Sequence, residues 1–236
     1  MKKSSKITIK FFLNENINGP IEDPNDIPLH PLYILVIFRR SNTKIRSQYG
    51  MYYESLEEVG KYDENLMLFE ERIIRKLIEY EVSKYGEDEF SLAGLKDKFE
   101  IYSTSIKSAC EVYLKDELRK AFKNTKDDLF HVLTTRHELA TVERLFKAGK
   151  LLFKDFEKGL EPQLLEEIYA FEKYKMLFPG KLFGYNFPTV IDWVAGNHLQ
   201  QLDELYKKTF NKQDKTLKAI HSLLENSCQK ILSNIM

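Results

Sequence analysis

Cysteine is scarce in this chain: the 236 residues include only Cys110 and Cys228, and no CxxC pair. A disulfide scaffold or a cysteine-rich zinc site is therefore excluded, and both residues fit apolar helical positions, which favours reduced, structural thiols. No run of about 18 apolar residues occurs, so no transmembrane helix is predicted. Lys10 and Asn14 interrupt the apolar part of the N-terminus and no small-residue cleavage site follows, which predicts a cytoplasmic protein without a signal peptide.

Catalytic signatures are also missing. The sequence has no GxSxG, GxGxxG, P-loop, kinase-type or HExxH motif. Asp127 and His131 are one helical turn apart and His137 follows, but zinc requires three or four ligands, and this set is incomplete. We therefore predict no enzymatic activity, no metal site and no cofactor.

Net charge is zero, with 36 basic and 36 acidic residues, but its distribution is uneven. Residues 1–50 contain eight Lys or Arg and four Asp or Glu. A wholly basic nucleic-acid-binding protein would have another composition. A basic face on an otherwise neutral protein is nevertheless sufficient to bind phosphate groups.

The alternation that is typical of β-strands is confined to the N-terminal part. Residues 6–13 (KITIKFFL), 33–39 and 43–49 each alternate or form a short apolar run. Ser41 and Asn42 are predicted to form the hairpin tip, because Asn tolerates positive φ and both residues make local side-chain hydrogen bonds. The three segments predict a small antiparallel sheet.

Apolar residues recur at helical spacing from about residue 54 onwards. Helices are predicted at 63–85, 92–99, 106–122, 125–146, 162–178, 188–210 and 215–235, with Asp63, Ser91 and Thr125 as N-caps. The predicted fold class is α+β: a small N-terminal three-stranded antiparallel sheet in residues 1–60, then a mostly α-helical body in residues 61–236. The boundary is expected near 54–63, and the body could divide again near 123–125 or Gly149.

The candidate functional site is the basic hairpin, because a β-ribbon can enter the DNA major groove and arginine is the usual reader of guanine there. Its predicted phosphate-binding or base-reading residues are Lys10, Arg39, Arg40, Lys44 and Arg46, with Ser41, Asn42 and Gln48 as uncharged donors. The alternative interpretation is that these charges protect an exposed sheet edge from aggregation.

The segments KITIKFFLNE, PLYILVIFRRSNTKIRSQYG and FSLAGLKDKF resemble the N-terminal arm-type DNA-binding region and helical core-binding region of tyrosine recombinases (integrases) from Bacteroidetes mobile elements. The resemblance covers roughly residues 6–100, and more weakly to about 148. It implies that Arg39, Arg40, Lys44 and Arg46 lie on a DNA-facing sheet. This chain has MYYESLEEV where the family has a tryptophan-bearing segment.

The catalytic domain of that family is missing here. None of the five histidines has arginine at the third position after it, and the last tyrosine, Tyr206, lies in a charged helix. The resemblance therefore implies a non-enzymatic DNA-binding or accessory protein of a mobile element, with duplex DNA as its partner.

A second hypothesis is a helical protein–protein interaction module, such as a self-associating scaffold, in which the acidic helical body is the functional part. The aromatic segment 178–188 (FPGKLFGYNFP) is predicted to pack a loop against the helices, with a base-stacking platform as the alternative. Trp193 and His198 are predicted to be a core indole and a boundary imidazole.

Overall fold

The chain forms two compact units, Met1–Ser103 and Thr104–Met236. The computed structural model describes residues 6–19, 27–48, 51–122, 140–178, 187–210 and 215–233. An antiparallel sheet is followed by helices, which confirms the predicted α+β class. The first unit contains the sheet together with three helices, whereas the sequence placed the domain boundary near residues 54–63.

The sheet consists of β1 (Ile7–Leu13), β2 (His30–Phe38) and β3 (Ser41–Arg46), in the antiparallel order β1-β2-β3. A short strand that the sequence analysis did not predict, β4 (Tyr52–Tyr53), pairs with the beginning of β2. The predicted three-stranded antiparallel sheet is therefore confirmed, with this small addition.

The hairpin tip differs from the prediction. Ser41 pairs with Phe38, so Arg39 and Arg40 form a two-residue loop and Ser41 and Asn42 belong to β3. Arg39 has φ 57° and Arg40 is not among the residues with positive φ, which is the pattern of a type II′ turn. Sheet register is set by the buried face, and this outweighs the cost of about 1 kcal/mol for positive φ at a non-glycine residue.

Three helices complete the first unit: α1 (Leu56–Tyr62), α2 (Glu64–Tyr85) and α3 (Leu95–Tyr102). The predicted end of α2 is confirmed, because Gly86 has φ 88° and its N–H donates to the Val82 carbonyl. Asp63 precedes α2 as predicted but does not cap it with its side chain. Its carboxylate instead accepts a hydrogen bond of 2.9 Å from the Tyr53 hydroxyl.

Helix α3 begins later than predicted. Gly94, with φ 73°, precedes it, whereas the Ser91 hydroxyl accepts from the Ala93 N–H within the preceding turn. Glycine adopts positive φ without a steric cost, so the chain enters the helix at Leu95 and the predicted cap stabilises only the turn.

The core of the first unit lies between one face of the sheet and the helices. Helices α1 and α2 contact β1, and α3 contacts β3. The sheet contributes Leu32, Ile34, Val36, Phe38 and Ile45, and α2 contributes Leu66, Ile73, Ile74, Leu77 and Ile78. This side of the sheet is hereafter called the buried face.

The described part of the second unit consists of helices, short turns and one isolated bridge between Ser105 and Thr189. Its helices are α4 (Ile106–Phe122), α5 (Val142–Leu152), α6 (Pro162–Leu177), α7 (Val190–Val194), α8 (His198–Phe210) and α9 (Lys215–Leu232). Helix α9 packs against α4 and α6. Their shared core includes Ile106, Leu114, Phe171, Tyr174, Ile220 and Leu224.

Two predicted helices of this unit are different in the structure. Helix α5 begins at Val142, because Thr141 has extended backbone and its hydroxyl accepts from the Arg144 N–H at 3.3 Å; residues 123–139 lie outside the described residues. The helix predicted at 188–210 is two helices, separated at Gly196 with φ 101°. No helix within the described ranges is long and apolar enough to cross a membrane.

Candidate nucleic-acid interface

The side of the sheet opposite the buried face carries the predicted cations. Strand pairing places the residues of this side in three rows across the sheet, each with one residue from β1, β2 and β3. The β2 residues in the middle of the rows are Tyr33, Leu35 and Ile37. We call this side the open face; it consists of Thr8, Lys10, Phe12, Tyr33, Leu35, Ile37, Asn42, Lys44 and Arg46. The aromatic and aliphatic residues of the open face are half-buried, and its exposed residues are Lys10, Asn42, Lys44 and Arg46.

Three cations share the open face. Lys10 and Lys44 flank Leu35 in one row, so their backbones are about 10 Å apart across β2. Arg46 lies in the adjacent row beside Tyr33. Among the described residues, no carboxylate pairs with Lys10, Lys44 or Arg46, and all three side chains are exposed.

Aromatic rings support two of these cations. The Lys44 Nζ lies 5.5 Å from the centroid of the Phe12 ring, and the Arg46 guanidinium lies 5.5 Å from that of Tyr52. Arg46 Nη2 also donates to the Tyr52 hydroxyl at 3.2 Å. Cation–π contacts reduce the freedom of long side chains while their charged ends stay in water, so the two cations are oriented in advance.

Arg39 is bound elsewhere. Its Nη2 is 2.7 Å from Asp88 Oδ1, and its Nη1 donates to the Glu87 carbonyl at 2.9 Å. The bond to Asp88 raises the pKa of Arg39 above its usual value. Arg39 therefore fastens the hairpin tip to the turn after α2, and its charge is offset within the unit rather than added to the open face.

The other predicted residues have separate places. Arg40 is exposed in the hairpin loop and has no ion pair among the residues that the structure describes. Ser41 is exposed at the start of β3 but belongs to the same side of the pleat as Phe38. Asn42 is exposed on the open face, opposite Ile37.

Gln48 is a structural residue in this arrangement. Its backbone N–H donates to Glu70 Oε1 at 2.9 Å. Its side-chain amide donates to the Phe99 carbonyl and to the Ser103 hydroxyl, both at α3. Strand alternation predicted that Gln48 shares a face with Lys44 and Arg46; since β3 ends at Arg46, that alternation does not extend to it.

The two aromatic residues that contact Lys44 and Arg46 were not predicted from the sequence as site residues. Phe12 was visible as the one aromatic residue on the polar side of the first strand, beside Lys10. Tyr52 carried no such signal, because its position beside Arg46 depends on the pairing of β4 with β2.

Other residues considered in the sequence have different outcomes. Asp127, His131, His137 and most of the aromatic segment, residues 179–186, lie outside the described residues. His198 is buried at 2% exposure, not at a boundary, and its Nε2 lies 3.3 Å from the Tyr174 hydroxyl. Trp193 is half-buried. In the described ranges no group of three His, Cys, Asp or Glu side chains could hold a metal ion.

No protein-family model, curated protein or solved structure matches this chain. The resemblance to the N-terminal region of tyrosine recombinases therefore stays a prediction.

Proposed function

We propose that this protein is a non-enzymatic DNA-binding or accessory protein of a mobile element that contacts duplex DNA through the open face of its sheet. The observation that supports the proposal is the grouping of Lys10, Lys44 and Arg46 on one face, where no carboxylate of the described part of the chain pairs with them. Three strands span about 10 Å, which is compatible with a major groove about 12 Å wide.

Phosphate neutralisation is the main proposed interaction, with limited reading of bases. The three cations would contact phosphate oxygens, and Arg40 would add a fourth contact from the hairpin loop. Asn42 is the residue on the open face with both an amide donor and an amide acceptor, the pair that reads adenine in the major groove. Its neighbour Ile37 offers an apolar surface of the kind that contacts a thymine methyl group.

Affinity for a generic duplex should fall steeply with added salt. Four phosphate contacts predict a slope of about −3.6 when the logarithm of the binding constant is plotted against the logarithm of the salt concentration. Fluorescence anisotropy of a labelled duplex, titrated at several salt concentrations, measures this slope. Absence of binding at about 20 mM salt, or an affinity that does not respond to salt, would contradict the proposal.

A second candidate function is a helical self-association module, and a groove in the second unit supports it. The groove has a volume of about 690 Å³ and lies between α5 and α6, with Phe146, Tyr169 and Met176 in its lining. Leu151, which also lines it, is 85% exposed, and Met176 is 58% exposed. Large exposed apolar side chains beside one another are typical of contact surfaces between proteins.

If this groove joins two copies, the wild-type protein should be a dimer at about 100 μM and the Leu151→Ser/Met176→Ser variant a monomer, because loss of apolar contact area weakens such an interface. Size-exclusion chromatography with light scattering distinguishes the two states. Identical monomeric masses for both proteins would count against self-association through this groove.

A further inference from the structure

Glu70 is a carboxyl group without contact to solvent in the first unit. It projects from α2 and has 0% exposure. Its Oε1 accepts two hydrogen bonds, from the Ser47 hydroxyl at 3.1 Å and from the Gln48 N–H at 2.9 Å. Its Oε2 is buried and has no hydrogen-bond partner among the residues that the structure describes. Both of these donors belong to residues that follow β3, and both bind the same oxygen.

Charged groups on the surrounding elements do not compensate this carboxyl. On α2, Glu71 pairs with Arg75, and Glu81 pairs with Lys98 of α3. On β3, Lys44 and Arg46 belong to the open face, on the other side of the sheet. The remaining ionisable groups of α3 are the exposed side chains Lys96, Asp97 and Glu100 and the hydroxyl of the buried Tyr102. None of them contributes to the change in the pKa of Glu70.

An ionised carboxylate is costly in such a place, because water is excluded and one oxygen has no donor. Burial raises the pKa of Glu70 to about 7, although the hydrogen bonds from Gln48 and Ser47 act to lower it. The neutral acid is therefore the form that the folded protein prefers below about pH 7, whereas an unfolded chain ionises Glu70 near its ordinary value of about 4.3.

The bonds to Glu70 hold the end of β3 in place. Ser47 directly follows Arg46, and its N–H donates to the Leu32 carbonyl at 3.0 Å. Gln48 is bound at the same time to Glu70 and to α3 through Ser103. Residues 47–48 thus connect the strand that carries Lys44 and Arg46 to both α2 and α3.

We propose that Glu70 is a proton-controlled latch: while neutral it stays buried under residues 47–48, which remain docked and keep the open face ordered. Ionisation favours exposure of the carboxylate to water, and this outweighs its two stronger hydrogen bonds and loosens residues 47–48. This inference rests on the proposed function, because it describes the regulation of the same face. The folded state retains the proton between about pH 4.5 and pH 7 while the unfolded state loses it, so latch stability is complete below this window and declines as the pH rises through it.

Amide hydrogen exchange at Gln48 tests the latch without DNA. The protection factor of this amide, corrected for intrinsic exchange, should fall roughly 100-fold between about pH 5 and about pH 8 in the wild-type protein. In Glu70→Gln, which keeps an acceptor oxygen but cannot ionise, it should stay constant. Glu79→Gln on the exposed side of the same helix is the matched control and should behave as the wild type.

A direct titration does not depend on any variant. The ¹³Cδ resonance of Glu70 in the wild-type protein should show a midpoint near pH 7, and Ser47→Ala should move the midpoint to higher pH, because it removes a bond that favours the ionised form. A midpoint below about pH 5, or parallel exchange profiles for wild type and Glu70→Gln, would overturn the latch.

Duplex binding at about pH 6 and about pH 8.5 separates regulation from function. We expect the wild-type affinity to be roughly tenfold lower at the higher pH, and the affinity of Glu70→Gln to change little. If neither protein binds at either pH, the proposed function fails. If both bind with the same pH dependence, DNA binding stands and its regulation by Glu70 is overturned.

Discussion

Replacing Lys10, Lys44 and Arg46 together by alanine should weaken binding of a generic duplex about 100-fold at about 50 mM salt, since each lost phosphate contact removes roughly 1 kcal/mol. The salt slope should fall from about −3.6 to about −0.9, the value for the Arg40 contact alone, because the slope counts the phosphates that the protein neutralises. Loss of both affinity and slope would be specific to the open face. The measurement is the same anisotropy titration, carried out at several salt concentrations.

The matched control removes an equal charge from the helices of the same unit. Lys61, Lys84 and Lys96 are exposed residues of α1, α2 and α3. Their triple alanine variant has the same net charge as the open-face variant, so a general electrostatic attraction would weaken equally in both. Retention of full affinity by the open-face variant, or an equal loss in the control, would contradict binding through this face.

Phe171→Ala should lower the free energy of unfolding of the second unit by about 3–5 kcal/mol. Phe171 is 1% exposed in α6, and Lys175 Nζ lies 5.1 Å from the centroid of its ring. Truncation removes the transfer free energy of the ring and leaves a cavity that close-packed neighbours fill only in part. Trp193, the single tryptophan of the chain, lies in this unit, so its fluorescence during denaturant unfolding reports the loss.

Met176→Ala is the control for this measurement. Met176 lies on the same helix but is 58% exposed, so its truncation should change the free energy of unfolding by no more than about 0.5 kcal/mol. A cost below about 1 kcal/mol for Phe171→Ala would mean that the ring is not packed as the structure places it.

Periodicity predicted the elements well where the pattern was long and regular. The alternation of residues 6–13 and the helical spacing of 63–85 and 106–122 correspond closely to β1, α2 and α4. In each of these elements one side faces the core, and the spacing of the apolar residues predicts which side it is. Pro162 also begins α6 as predicted, because proline fits the first helical turn.

Boundaries and turns were predicted less well, because short-range preferences compete with tertiary packing there. Asn42 has the chemistry of a turn residue, yet the core pairs Ile34 with Ile45 and so moves the loop to Arg39 and Arg40. Asp63 has the chemistry of a helix cap, yet its carboxylate accepts from Tyr53. In both cases a contact with a residue distant in the sequence decided the outcome.

The candidate site could be predicted only in part for the same reason. Strand alternation alone places Lys44 and Arg46 on one side of β3, and pairing with β2 then adds Lys10. Nothing in the order of residues indicated that Arg39 would pair with Asp88, 49 positions later, or that Gln48 would bind α3. Ion pairs and hydrogen bonds of this kind depend on where the helices lie against the sheet.

The amino-acid sequence by itself determined which faces of the strands and helices are apolar, and with them the α+β class, because side-chain spacing and burial are local properties of the chain. Only the tertiary structure decided which charges remain unpaired. A cation keeps its charge available to a partner only when no carboxylate is within reach, and that distance is a property of the folded chain.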